Sequence, residues 1–212
     1  LGPGGQRYKF GFGGNGAQQF QEFNVPDKQG FNKWIACMNP PVDIFFQSFY
    51  QFFESVYASP AEKLGFTSWG VKEVQSGLET ARFLRKLYPS AKFVFLVRNP
   101  FACLTSIKRR NWMDRPQDPR ALEYFGGHWA RLAGEFRSAD FGRLVKYEEL
   151  VATPEVQDSL GNYLGCVELA LHFNKLSRAD WDSHNDNALS FWEKRRLSRI
   201  VRVEMMHYGY DL

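Results

Sequence analysis

The sequence predicts an α/β domain in which a parallel β-sheet is flanked by helices. Three observations carry the prediction. AKFVFLV (residues 91–97) is an unbroken apolar run, as expected of a strand buried on both faces of a parallel sheet. It is preceded by the helix pattern SGLETARFLRKLYP (76–89) and, before that, by the strand candidate SWGVKEV (68–74). Strand, helix, strand over roughly 30 residues is a βαβ unit. The third observation is that Val97 runs directly into RNPFACLTSI, placing Arg98 at the strand's C-terminal tip, the edge where open α/β sheets bind ligands.

The elements follow in order. Residues 41–58 place Phe45, Phe46, Phe49, Phe52, Phe53 and Val56 on one helical face. That face is either core packing or an aromatic wall for an apolar substrate. In the helix over 76–89, Ser76 is the expected cap and Glu79 completes a capping box. Leu78, Ala81, Leu84 and Leu87 share a face, and Pro89 ends the helix. After the 91–97 strand, Asn99 suits a helix cap and Pro100 its first turn. Trp129, Leu132, Ala133 and Phe136 mark a further helix. LVKYEEL (144–150) opens with a strand and continues into a turn. Val156, Leu160 and Leu164 mark another helix, and Leu189 to Met206 a long basic one. The sheet is expected to hold at least three strands.

The 212 residues suit a single domain, with residues 1–6 reading as a tag remnant or a trimmed start. A net charge of +4 permits an anionic ligand but is too small to suggest nucleic acid. No apolar run reaches the ~18 residues of a membrane helix. Cys37, Cys103 and Cys166 form no C-x-x-C pair, so neither a zinc site nor a disulfide framework is expected. Their use leans toward a reducing compartment, and the expected location is cytoplasmic, or the Golgi lumen in a eukaryote. KFGFGGNG (9–16) satisfies the dinucleotide fingerprint through Gly11, Gly13 and Gly16. It lacks a strand before it, a well-formed helix after it and any acidic residue over 31–41, so it is read as a loop.

The chemistry concentrates after residue 97. Arg98 offers a planar fork of donors suited to a phosphate, and Ser106 adds a hydroxyl two helical turns on. From Arg98 to Arg120, Arg98, Lys108, Arg109, Arg110, Arg115 and Arg120 face only Asp114 and Asp118. An anion site fits this excess; so does a strand-end arginine in a salt bridge beside a solvated basic run.

FVFLVRNPFACLTSI resembles the 3′-phosphate motif of sulfotransferases that use 3′-phosphoadenosine 5′-phosphosulfate (PAPS), in which a strand ends in arginine with serine eight positions later. WGVKEV resembles the W-G-x-K-E stretch of the bacterial-type members, LVKYEELVATP their Y-E-D/E-L strand end, and LSFWEKRRLSRIV with GYDL their ending. Residues 7–19 resemble their R-Y-x-x-x-G-x-N-x-A stretch. The resemblance implies a P-loop-NTPase-like fold and PAPS as cofactor, with adenosine 3′,5′-bisphosphate as product and no metal. It implies that Arg98 and Ser106 hold the 3′-phosphate, that Tyr147 lies near the adenine and that Lys72 lies near the sulfuryl group. Glu73 is the nearest candidate for the acceptor's proton, although in a strict strand it points away from Lys72. His128, in GGHW, is the alternative; His172, His184 and His207 show no partner pattern. The implied partner is a small-molecule or glycan acceptor, with no nucleic acid and no membrane segment, and the oligomeric state is open.

The resemblance also implies a second phosphate loop, P-x-S/T-G-S/T-T/S after an N-terminal strand, and no such loop occurs here. Either the chain begins downstream of it, or the loop is missing, or the activity has been lost. The rival reading is therefore an inactive sulfotransferase-like binding module. A kinase of the P-loop class is disfavoured, because no G-x-x-x-x-G-K-[ST] occurs.

Overall fold

In the computed structural model the residues described are 42–113, 118–166 and 189–211. The fingerprint glycines Gly11, Gly13 and Gly16, with Cys37, His172 and His184, lie outside them. The chain divides into two compact units, residues 1–73 and 74–212.

In the first unit, helix α1 (Val42–Phe53) passes into a π-helical stretch (Glu54–Ala58) and then α2 (Ser59–Lys63). None of the residues of α1 is buried. Its aromatic rings instead meet one another: Phe45 and Phe49 lie 4.7 Å apart between centroids, and Phe53, Tyr57 and Trp69 form a stacked trio. The expected strand over 68–74 is absent; the stretch is irregular, with Val71 and Val74 exposed. A strand needs a ladder for its N–H and C=O groups, and the one ladder among the described residues joins Val94–Val97 to Arg143–Lys146. The βαβ unit expected before residue 97 is therefore not formed by these residues.

The second unit holds the α/β core. Its elements are α3 (Leu78–Leu87), β1 (Val94–Val97), α4 (Pro100–Arg109), α5 (Pro119–Arg137), β2 (Arg143–Lys146), α6 (Tyr147–Ala152), α7 (Pro154–Leu164) and α8 (Phe191–His207). Strands β1 and β2 pair in parallel, with Val94 opposite Arg143 and Val97 opposite Lys146. Two strands, rather than at least three, make up the sheet among the described residues. Helices cover both of its faces. Side chains alternate along a strand, so Val97 joins one apolar cluster with Leu104, Trp129, Ala133, Leu197, Val201 and Met205 from α4, α5 and α8. Val145, on the opposite face, joins Leu150 and Leu160 from α6 and α7. Burial is nevertheless uneven: Leu96 stays 44% exposed.

Local chemistry explains the ends of these elements. Asn99 caps α4 as expected, its side-chain oxygen accepting from the Phe101 and Ala102 amides, with Pro100 in the first turn. Ser76 does not cap α3. Gly77 occupies the cap position, and the Leu78 amide donates instead to Glu135 of α5 at 2.9 Å. A carboxylate from another helix thus replaces the local capping box. Gly77 suits it: a Cβ there would collide with the Glu135 carboxylate. Tyr147 begins a short helix where the sequence suggested a turn. At Gly142, before β2, φ is +78° and a Cβ would lie 2.9 Å from the Phe93 carbonyl, so the entry to the strand requires glycine.

Candidate anion site at the strand tips

Arg98 leaves β1 at its C-terminal tip and precedes the first turn of α4, where the positive end of the helix dipole favours an anion, while the Phe101 and Ala102 amides are already taken by Asn99. Its backbone is held firmly. The Arg98 carbonyl accepts from Trp129 Nε1 at 2.9 Å, and the Asn99 amide donates to Glu148 Oε1 at 2.8 Å. Both ends of the Arg98–Asn99 peptide are thereby pinned. The side chain is held differently. The Tyr147 ring lies over the guanidinium, 4.5 Å from centroid to Cζ. The guanidinium Nε and Nη2 are buried and have no hydrogen-bond partner among the described residues.

No carboxylate among the described residues pairs with this guanidinium, so the arrangement is not a strand-end salt bridge. A ring face attracts the positive charge, but guanidinium N–H groups point outward in their own plane and need acceptors. Leaving one buried and unpaired costs about 1–3 kcal/mol, more for a charged group. A bound phosphate oxygen removes that cost.

Ser106 lies half-buried two turns into α4. The neighbouring basic run is largely structural. Lys108 pairs with Glu193 of α8 at 2.8 Å, Arg110 packs over Trp112, and Arg109 and Arg110 are exposed. Cys103 contacts the Arg98 carbonyl, and burial pushes its thiol up to about 12 against the pull of Arg98, so it is no nucleophile.

Lys72 and Glu73 belong to the first unit, where both are exposed in the irregular stretch. Because that stretch is not a strand, the alternation that would turn Glu73 away from Lys72 does not apply. His128, on α5, receives Arg131 Nη2 at 3.3 Å from Nδ1. Its Nε2 is buried without a hydrogen-bond partner among the described residues. Arg131 is also bonded to Glu135. Burial would raise the Glu135 carboxyl, but the Leu78 amide and Arg131 together hold it below its ordinary range.

Three residues around Arg98 escaped the sequence reading: Trp129 as a donor, Glu148, and Tyr210, whose hydroxyl lies 2.7 Å from Glu148 Oε2. Glu148 stood beside Tyr147 in the quoted motif, and only its adjacency hinted at a role. Nothing in the sequence links Tyr210 to residue 98.

Within the α/β fold, the tip of β1 thus presents a half-buried arginine beside the start of α4. The sequence profile of the sulfotransferase family matches residues 9–160, well over half of the chain, and the chain belongs to that family. No curated protein and no solved structure matches it. Among the described residues, no cluster of histidine, cysteine and carboxylate side chains could hold a metal ion, and no helix is long and apolar enough to cross a membrane.

Proposed function

We propose that this chain is a PAPS-dependent sulfotransferase domain, moving a sulfuryl group from PAPS to a hydroxyl or amine on a small molecule or glycan. Arg98 and Ser106 bind the 3′-phosphate and Tyr147 borders the adenine. The observation that carries the reading is the pair of buried guanidinium nitrogens on Arg98 that have no partner among the described residues. The family match runs across both compact units, which supports taking residues 1–212 as one sulfotransferase-like domain of P-loop-like fold.

PAPS supplies the transferable sulfuryl group. The acceptor oxygen or nitrogen attacks sulfur as the bond from sulfur to the phosphate oxygen breaks, and adenosine 3′,5′-bisphosphate leaves. Such a transfer depends on positioning and on stabilising charge at the oxygens. In this reading Lys72 supplies a point charge near the sulfuryl oxygens. Glu73 takes the acceptor's proton.

Calorimetric titration with adenosine 3′,5′-bisphosphate tests the site. Arg98→Ala is expected to weaken binding at least about tenfold, from loss of a charge-assisted bidentate contact. Unchanged affinity would overturn the assignment. A second reading is a sulfotransferase-like binding module without turnover. Turnover of labelled PAPS by the product of the full gene separates the two.

A further inference from the structure

We propose that Glu148 and Tyr210 form a latch that fixes the Arg98–Asn99 turn for anion binding, which makes both positioning residues for nucleotide capture. The inference rests on the reading of Arg98 as the 3′-phosphate ligand and extends it to residues that touch no ligand themselves.

Glu148 joins three chain segments. Its Oε1 accepts from the Asn99 amide at 2.8 Å, at the junction of β1 and α4. Its Oε2 accepts from the Tyr210 hydroxyl at 2.7 Å, beyond α8. Its neighbour in sequence is Tyr147, whose ring covers the Arg98 guanidinium. The hydroxyl has one proton. Given to the carboxylate, it leaves Tyr210 in a longer contact, 3.4 Å, with the Val97 carbonyl. Burial, then the bond to Glu148, pushes the Tyr210 hydroxyl well above its ordinary value, so it stays a donor through neutral and alkaline pH.

The consequence lies in one peptide plane. Its carbonyl end, from Arg98, is held by Trp129, and its amide end, from Asn99, by Glu148. Together the two bonds fix the last backbone torsion of Arg98 and the first of Asn99, and hence the origin of the arginine side chain. Asn99 is also the cap of α4, so the same turn aims the helix N-terminus. A carboxylate that lost the Tyr210 donor would hold the amide end less firmly, and Arg98 would pay for ordering itself on binding. Lys146, at the tip of β2, reinforces the arrangement by donating to the Tyr208 carbonyl at 3.2 Å.

The test is a double-mutant cycle in the 212-residue chain, with Arg98→Ala, Tyr210→Phe and the double variant. It reads affinity for adenosine 3′,5′-bisphosphate by calorimetry and melting temperature in parallel. Tyr210→Phe is expected to weaken binding about three- to tenfold, the range for the loss of one ordinary hydrogen bond. In the Arg98→Ala background the same change is expected to cost no further affinity, while it lowers the melting temperature equally in both backgrounds. A merely structural role would not give that split. If Arg98→Ala binds as tightly as the parent, the nucleotide reading falls and the latch with it. If Arg98→Ala weakens binding but Tyr210→Phe does not, or does so equally in both backgrounds, the latch alone is overturned. Should Tyr210→Phe fail to melt cooperatively, Glu148→Gln runs the same cycle, since it keeps an acceptor for Asn99 but turns a second donor toward Tyr210.

Discussion

At Arg98 the fold half-buries a cation, sets the face of Tyr147 over it, and leaves two buried nitrogens without acceptors among the described residues. Its immediate neighbour Cys103 shows the other consequence of the same environment. Burial raises that thiol to about 12, whereas Cys166, after α7, is exposed. Brief treatment with a maleimide near neutral pH is therefore expected to label Cys166 and spare Cys103 in the folded chain, with both labelled in denaturant. Peptide mass mapping reads the result, and rapid native labelling of Cys103 would contradict its burial. Arg98 and Tyr147 were legible from the sequence because a strand end and a motif marked them. Glu148 and Tyr210 were not, because a hydrogen bond between residues 62 positions apart leaves no local pattern.

At the scale of elements, helix ends separate what is local from what is not. The cap of α4 by Asn99 and the capping box of α8, Ser190 with Glu193, are written within four residues. The cap of α3 comes from Glu135, whose partner amide is 57 residues away, and the local candidate Ser76 loses to it. Glu193 has a second partner in Lys108. Burial alone would raise its carboxyl; the bonds from Lys108 and Ser190 outweigh burial and hold it below its ordinary 4.5. A depressed folded-state value means that the unfolded chain binds the proton more readily. The stabilisation is then complete above 4.5 and is lost as pH falls through the lower folded value. Urea melts across that range are expected to show Glu193→Gln less stable than the parent near neutral pH, with the gap closing on acidification. A gap that stays constant would mean that Glu193 contributes through shape and not through charge.

For the molecule as a whole, stability and site share one core. In the second unit Leu197, Val201 and Met205 of α8 are fully buried against α4, α5 and β1, and Gly126 lets α8 approach, since a Cβ there would lie 3.0 Å from Leu197. Leu197→Ala is expected to lower the unfolding free energy by about 2–5 kcal/mol, the range for a large-to-small change in a packed core. Because α8 leads into Tyr208 and Tyr210 at the strand tips, the same variant is expected to weaken binding of adenosine 3′,5′-bisphosphate as well. Denaturant melts and calorimetry on one preparation check both.

The sequence by itself determined the α/β class, the strand Val94–Val97, the helix that Asn99 begins, the position of Arg98 between them, and the family resemblance that the profile match bears out. Each of these rests on apolar periodicity, on capping chemistry or on a contiguous motif, all of which act over a few residues. Only the tertiary structure decided that residues 68–74 form no strand, that Glu135 caps α3 and that Arg98 is pinned through Trp129 and Glu148. Strand formation depends on a partner supplied from elsewhere in the chain, and a buried polar group takes whatever donor or acceptor folding brings within about 3 Å.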